Sequence, residues 1–201
     1  MLLAVLALAV AQPVPKPLIL AFGDSLTAGY NLDRGLGFAP QLEAALRRHG
    51  IAATVADGGV SGDTSAAARA RLGWTLAGLP RQPDLVIVEL GANDMLRTLD
   101  PALTRANLNA ILAEFDRRKI PFLLAGMRAT PNLDPAYRVK FDALYPALAK
   151  THGAPLYPFF MEGVAARPGM QQADGMHPSF PGIKRIVSGI LPRVMTALGR
   201  N

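Results

Sequence analysis

Cysteine is absent from the 201-residue chain, which excludes disulfides, thiolate nucleophiles and cysteine-ligated metal sites. Histidine is scarce. Three residues, His49, His152 and His177, must supply any imidazole that the chemistry needs. Aromatic residues make up only 6% of the chain and are not interleaved with the basic ones, as a nucleic-acid groove requires. Neither a dinucleotide fingerprint (G-x-G-x-x-G) nor a phosphate loop (G-x-x-x-x-G-K-[ST]) occurs. The G-x-S-x-G nucleophile elbow is missing as well, because Thr27, not glycine, stands two positions after Ser25. Internal repeats and low-complexity tracts are also lacking.

What is present begins with an apolar block, "MLLAVLALAVA", too short to span a bilayer. Ala9-Val10-Ala11 has the A-x-A form of a signal-peptidase site. Residues 1–11 are therefore read as a signal peptide, although without its basic n-region, and the protein is expected to be periplasmic or secreted with no membrane anchor after cleavage. An uncleaved apolar N-terminus is the alternative. Residues 12–201 fit one domain with ample apolar content for a core, since half the chain is hydrophobic. The net charge of +6 comes from scattered lysines and arginines. The short groups Arg47-Arg48 and Arg117-Arg118-Lys119 fall at predicted helix ends, where cations suit the macrodipole. A solvated basic surface is expected, able to steer acidic substrates or approach anionic membranes; no nucleic-acid partner is expected, and nucleic-acid binding is kept only as an outside alternative.

Hydrophobic patterning predicts alternating strands and helices. Leu18–Phe22 is a buried strand running into "GDS". Phe38, Leu42, Ala45, Leu46 and His49 share one helical face, closed by Gly50. Ile51–Ala56 is strand-like, and Asp63 or Thr64 caps a helix through "SAAARARLGWTLAG". "DLVIVEL" is a strand covered on both faces, because its β-branched run shows no alternation. Asp100 as cap and Pro101 at the first position open a helix whose core stripe is Leu103, Leu108, Ile111, Leu112 and Phe115. "IPFLLAGM" is a fourth strand, Ala136–His152 a helix stopped by Gly153, "APLYPFF" a short fifth strand, and Ile183 to about Leu198 the last helix. This alternation predicts an α/β fold with a parallel sheet of about five strands joined by right-handed crossovers.

Ser25 follows the first strand, where open α/β sheets bind ligands; capping the next helix is the alternative for that serine. A nucleophilic serine needs a base, a group that fixes the base, and donors for the developing oxyanion. His49 and His152 each precede a glycine at a helix C-terminus, where an imidazole serves the last carbonyls. His177 lies instead in a loop, "ADGMHPSF", three residues after Asp174. That spacing allows a carboxylate to orient one ring nitrogen while the other faces a serine. With two histidines so explained, no cluster remains for a metal. Asp24 is expected to bond local backbone at the Ser25 turn. Glu89, a carboxylate in an apolar strand, needs a partner that the sequence does not name.

The blocks "FGDSLTAGY", "GVSGDT", "GAND" and "DGMHP", in this order, resemble the SGNH (GDSL) hydrolases, above all their small bacterial esterase, thioesterase and lysophospholipase members. The resemblance runs from about Leu18 to the last helix. It implies a three-layer α/β/α sandwich of the flavodoxin-like SGNH hydrolase type and no cofactor. It also implies Ser25 as nucleophile, His177 as general base and then acid, and Asp174 as the group orienting His177. The implied oxyanion hole is the Ser25 N–H, the Gly62 N–H and the Asn93 side-chain amide. A small acyl ester or thioester, or a lysophospholipid, is the implied substrate. Met95, Leu96, Met127 and Arg128, with Phe159 to Met161, are candidates for an acyl groove, although core packing is the alternative for most of the methionines. A carbohydrate acetylesterase is the rival activity, and a non-catalytic lipid-binding protein the rival class.

Overall fold

The computed structural model describes residues 16–200; the predicted signal peptide lies outside them. Five parallel strands form one sheet in the order β2-β1-β3-β4-β5. They are β1 Leu18–Gly23, β2 Thr54–Gly59, β3 Leu85–Glu89, β4 Phe122–Ala125 and β5 Leu156–Tyr157. The helices are α1 Ser25–Ala28, α2 Phe38–Arg48, α3 Ser65–Ala77, α4 Ala92–Leu96, α5 Pro101–Arg118, α6 Pro135–Asp142, α7 Leu144–His152 and α8 Phe180–Ala197. β1 and β3 are buried along their whole length, as unbroken apolar runs require of strands covered on both faces.

The chain steps from β1 to β2 in one direction along the sheet, and from β2 onward in the other. Right-handed crossovers therefore put α2 on one face and α3, α5 and α7 on the other. α8 returns to pack against α2, while α3 packs on α5 and α5 on α7. The three-layer α/β/α sandwich follows. Its strand order reverses beside β1, and the crevice at such a reversal, beyond the carboxyl ends of the strands, is where ligands of open α/β sheets bind. Ser25 opens the helix immediately after β1.

Local chemistry sets most boundaries. Thr64, not Asp63, caps α3 by accepting the Ala67 N–H at 3.3 Å, and Asp100 caps α5 by accepting the Ala102 N–H at 2.9 Å. α7 stops at Gly153, whose φ is +60°.

Several expectations need correction. β2 runs from Thr54 through Gly58 and Gly59, so it starts and ends three residues later than the predicted strand. Ile51 instead closes the turn that follows α2, its N–H bonded to the Leu46 carbonyl. The glycines are needed in the strand itself, because a Cβ on Gly59 would lie 2.4 Å from the Ala28 nitrogen. The single helix predicted for Ala136–His152 is two, broken at Ala143. Pro146 provides the reason, since its ring opposes a helical carbonyl four residues back, at Asp142. α8 starts at Phe180, a turn earlier than predicted, because Ser179 caps it through the Gly182 N–H. Leu103 is 61% exposed and is no part of the core stripe. The inward position belongs to Thr104, whose hydroxyl donates to Asp94 at 3.1 Å, so the first turn of α5 docks on polar groups.

Candidate active site

Asp24 caps the four-residue helix α1, its Oδ1 accepting the Leu26 N–H at 3.0 Å, and Gly29 ends that helix in the left-handed region. Ser25 is thus the first helical residue and not the cap. Its Oγ lies 2.9 Å from Nε2 of His177. Nδ1 of the same ring lies 2.7 Å from Oδ2 of Asp174, while Oδ1 of Asp174 accepts the N–H groups of Met176 at 2.9 Å and His177 at 3.0 Å. The amide of Met176, then the ring and amide of His177, hold the Asp174 carboxyl down at about 2. It stays ionised wherever His177 can be neutral.

The loop carrying His177 is tied to the far end of the chain. Gln172 donates from Nε2 to the Tyr30 carbonyl at 2.8 Å and to that of Pro178 at 3.0 Å, and it accepts from Asn31 at 3.2 Å. Its own N–H bonds the His177 carbonyl at 2.8 Å. The Tyr30 ring lies over the imidazole, with centroids 4.4 Å apart.

Gly62 lies on the loop after β2, and Asn93 in α4 after β3 lines the same cavity as Ser25. Gly62 has φ +87°, with open space on its Cβ side. No acceptor among the described residues meets the N–H of Ser25 or of Gly62. Asn93 directs Nδ2 to the Asp63 carbonyl at 2.9 Å and to Oδ2 of Asp24 at 3.2 Å. Gly91 permits that turn, because a Cβ there would sit 2.3 Å from the Tyr145 hydroxyl, which donates to the Leu90 carbonyl.

Two carboxyls lie beneath these groups. Burial raises Asp24 to about 6, against the opposing pull of the Leu26 amide and the charge on His177. Burial, then the charge of Asp24, pushes Glu89 well above the ordinary range. The partner of Glu89 is Thr27, whose hydroxyl donates to Oε2 at 2.8 Å.

A cavity of about 250 Å³ opens from Ser25, Asn93 and His177. Met95, Leu96, Met127 and Arg128 all line it, as do Phe159 and Met161. Met95, Met127 and Met161 are buried as well, so they serve both groove and core. Arg128 is at the mouth, 5.1 Å from the centroid of the Phe159 ring and 3.8 Å from Glu162.

The other two histidines stand apart. His49 bonds the Ala45 carbonyl at 3.0 Å, as expected for a helix end. His152 does not bond a terminal carbonyl. Its ring meets Oδ2 of Asp116 and Oδ1 of Asn109, tying α7 to α5. Sequence reading also missed Arg71, which bonds the Gly23 carbonyl at 2.9 Å, pairs with Asp63 and stacks on the Phe22 ring. One guanidinium thereby joins the strand end before Ser25 to the loop bearing Gly62. Tyr30 and Gln172 were missed too, and no local pattern marks any of the three.

The fold and the serine–imidazole–carboxylate chain are those of a serine hydrolase whose serine stands at the reversal point of a parallel sheet. Within that class the chain belongs to the GDSL-like lipase/acylhydrolase family, whose pattern it matches over residues 21–184. It is 36% identical over 187 residues to Esterase TesA of Pseudomonas aeruginosa, across 93% of this chain and 92% of that protein. To thioesterase 1/protease 1/lysophospholipase L1 of Escherichia coli K12 it is 38% identical over 161 residues, across 80% of this chain and 75% of that one. Among solved structures, the SGNH-hydrolase family esterase AlinE4 superposes with a TM-score of 0.79 at 51% identity, covering 93% of this chain and 99% of AlinE4.

Proposed function

We propose that the protein hydrolyses carboxylic esters and thioesters with apolar acyl chains, lysophospholipids among them, through an acyl-enzyme on Ser25. The observation that carries the reading is the 2.9 Å approach of Ser25 Oγ to His177 Nε2. Neutral His177 takes the hydroxyl proton as Oγ attacks the carbonyl carbon, and Asp174 holds the ring while it is charged. The carbonyl oxygen becomes an oxyanion facing the Ser25 and Gly62 amides and the Asn93 side chain. The Asp63 bond fixes one Asn93 amide hydrogen, and the other leaves its longer contact with Asp24 for the oxyanion. Such donors are each worth about 100- to 1,000-fold in turnover. His177 then returns the proton to the leaving oxygen or sulfur. Water, deprotonated by the same ring, releases the acid and restores Ser25.

The apolar wall of the cavity supports an acyl chain over a sugar. The names of the relatives, which include esterase, thioesterase and lysophospholipase, support the same breadth. A phosphonate probe should label Ser25 alone, and a panel of p-nitrophenyl esters, acyl-CoA and lysophospholipid should be hydrolysed. Ser25→Ala and His177→Ala should lose roughly 10⁴-fold or more in kcat, while His49→Ala and His152→Ala stay near wild type. Labelling of another residue, or retained turnover in Ser25→Ala, defeats the assignment. Export is part of the proposal and rests on Ala9-Val10-Ala11. Protein recovered outside the cytoplasm should begin at Gln12 by N-terminal sequencing.

A further inference from the structure

The steps above leave Glu89 unused, although it is 1% exposed at the end of β3, directly under the site. Its Oε2 accepts the Thr27 hydroxyl at 2.8 Å and reaches the Asp24 N–H at 3.4 Å. One carboxyl oxygen thus grips the chain on both sides of Ser25. Gly23 makes room for this grip, because a Cβ there would lie 2.7 Å from that oxygen and 2.0 Å from the Thr27 hydroxyl.

No basic side chain among the described residues pairs with Glu89, and its buried Oε1 receives no hydrogen bond. The charged group that acts on it most is Asp24, whose own N–H lies 3.4 Å from Oε2. Two desolvated carboxyls on neighbouring chain segments do not both ionise readily. Asp24 is the better anion, because it accepts the Leu26 amide and the Asn93 side chain and feels the charge of His177. The remaining polar neighbours are already engaged. Tyr145 donates to the Leu90 carbonyl, Asp94 accepts from Ser65 and Thr104, and Asp63 pairs with Arg71.

We propose that Glu89 is a positioning residue that works as a neutral acid: its Oε2 holds the Thr27 and Asp24 flanks of Ser25, and its neutrality leaves the charge of the pair on Asp24. The inference rests on Ser25 being the nucleophile. Glutamine reproduces an acceptor on one side and a donor on the other, whereas leucine of similar size offers neither.

The test compares wild type, Glu89→Gln and Glu89→Leu by kcat and KM on p-nitrophenyl butyrate, by melting temperature, and by ¹³C NMR of the glutamate carboxyls. Glu89→Gln should retain kcat within about threefold, while Glu89→Leu loses about 10- to 100-fold in kcat with little change in KM, as for a misplaced nucleophile. The carboxyl resonance missing from the Glu89→Gln spectrum should keep its neutral-acid position at pH values where the other glutamates have moved to the carboxylate position. Movement of that resonance to the carboxylate position, or a folded Glu89→Gln as impaired as Glu89→Leu, overturns the proposal. If Glu89→Leu does not fold, the glutamine variant and the resonance decide. Phosphonate labelling of wild-type Ser25 is scored separately, so failure of the nucleophile assignment is distinguished from failure of this one.

Discussion

Tyr30 lies over the imidazole of His177, ring centroids 4.4 Å apart at an interplanar angle of 33°. An aromatic face attracts the imidazolium that forms when His177 accepts the serine proton. Tyr30→Leu should therefore lower kcat/KM by roughly two- to fivefold, the kinetic equivalent of a partly exposed cation–π contact. Tyr30→Phe keeps the face and should track wild type. The kcat/KM values of the three proteins on p-nitrophenyl butyrate provide the check.

Asp174 is ionised down to about 2, held there first by the Met176 amide. Its titration therefore makes no contribution to the acid limb of the wild-type profile. Its own contribution to stability is present above about pH 4 and fades as pH falls through the lowered value. Asp174→Asn should cost about 10³- to 10⁴-fold in kcat through loss of ring orientation. Turnover of p-nitrophenyl butyrate by the two proteins measures the loss.

Asp24 gives the opposite sign. Burial raises it from 3.8 to about 6, so the folded state holds a proton that the unfolded chain has released. The stabilising contribution is complete below pH 4 and is lost as pH rises through about 6. Relative to Asp24→Asn, wild type should lose on the order of 3 kcal/mol across that window. Urea unfolding of both proteins at pH 4 and pH 7 measures the gap. The variant should lose activity even so, because its amide turns a donor towards the Asn93 amide.

Leu96 is 53% exposed at the edge of the cavity, so it can be enlarged without strain in the core. Leu96→Trp should narrow the groove and raise the butyrate-to-octanoate ratio of kcat/KM by roughly tenfold, within the range that small changes in an apolar pocket bring. Parallel assays on the two p-nitrophenyl esters decide it.

The meeting of Ser25, Asp174 and His177 was legible because each stands in a short contiguous block, and β1 and β3 because a strand covered on both faces is apolar almost throughout, Glu89 being the exception. β2 was misplaced because Gly58 and Gly59 carry turn chemistry locally, while their use is tertiary, admitting the Ala28 backbone. Apolar periodicity continues across Pro146, which hid the break between α6 and α7. His152 was assigned to carbonyls because its neighbours on α5, Asn109 and Asp116, are far away in sequence. Gln172 and Tyr30 are 142 residues apart, and no local pattern encodes such a meeting. The Thr27 partner of Glu89 was hidden in the same way. β1 and β3 must be adjacent before these two residues can touch.

The imidazole is delivered by the loop that leads into α8, and that loop is held in place by α8 packing on α2. While the ribosome is still making the segment beyond Tyr157, the sheet has all of its strands but the serine has no base. Serine and imidazole therefore meet only after the final stretch of the chain has docked, and a chain cut short before that loop carries the nucleophile without its base.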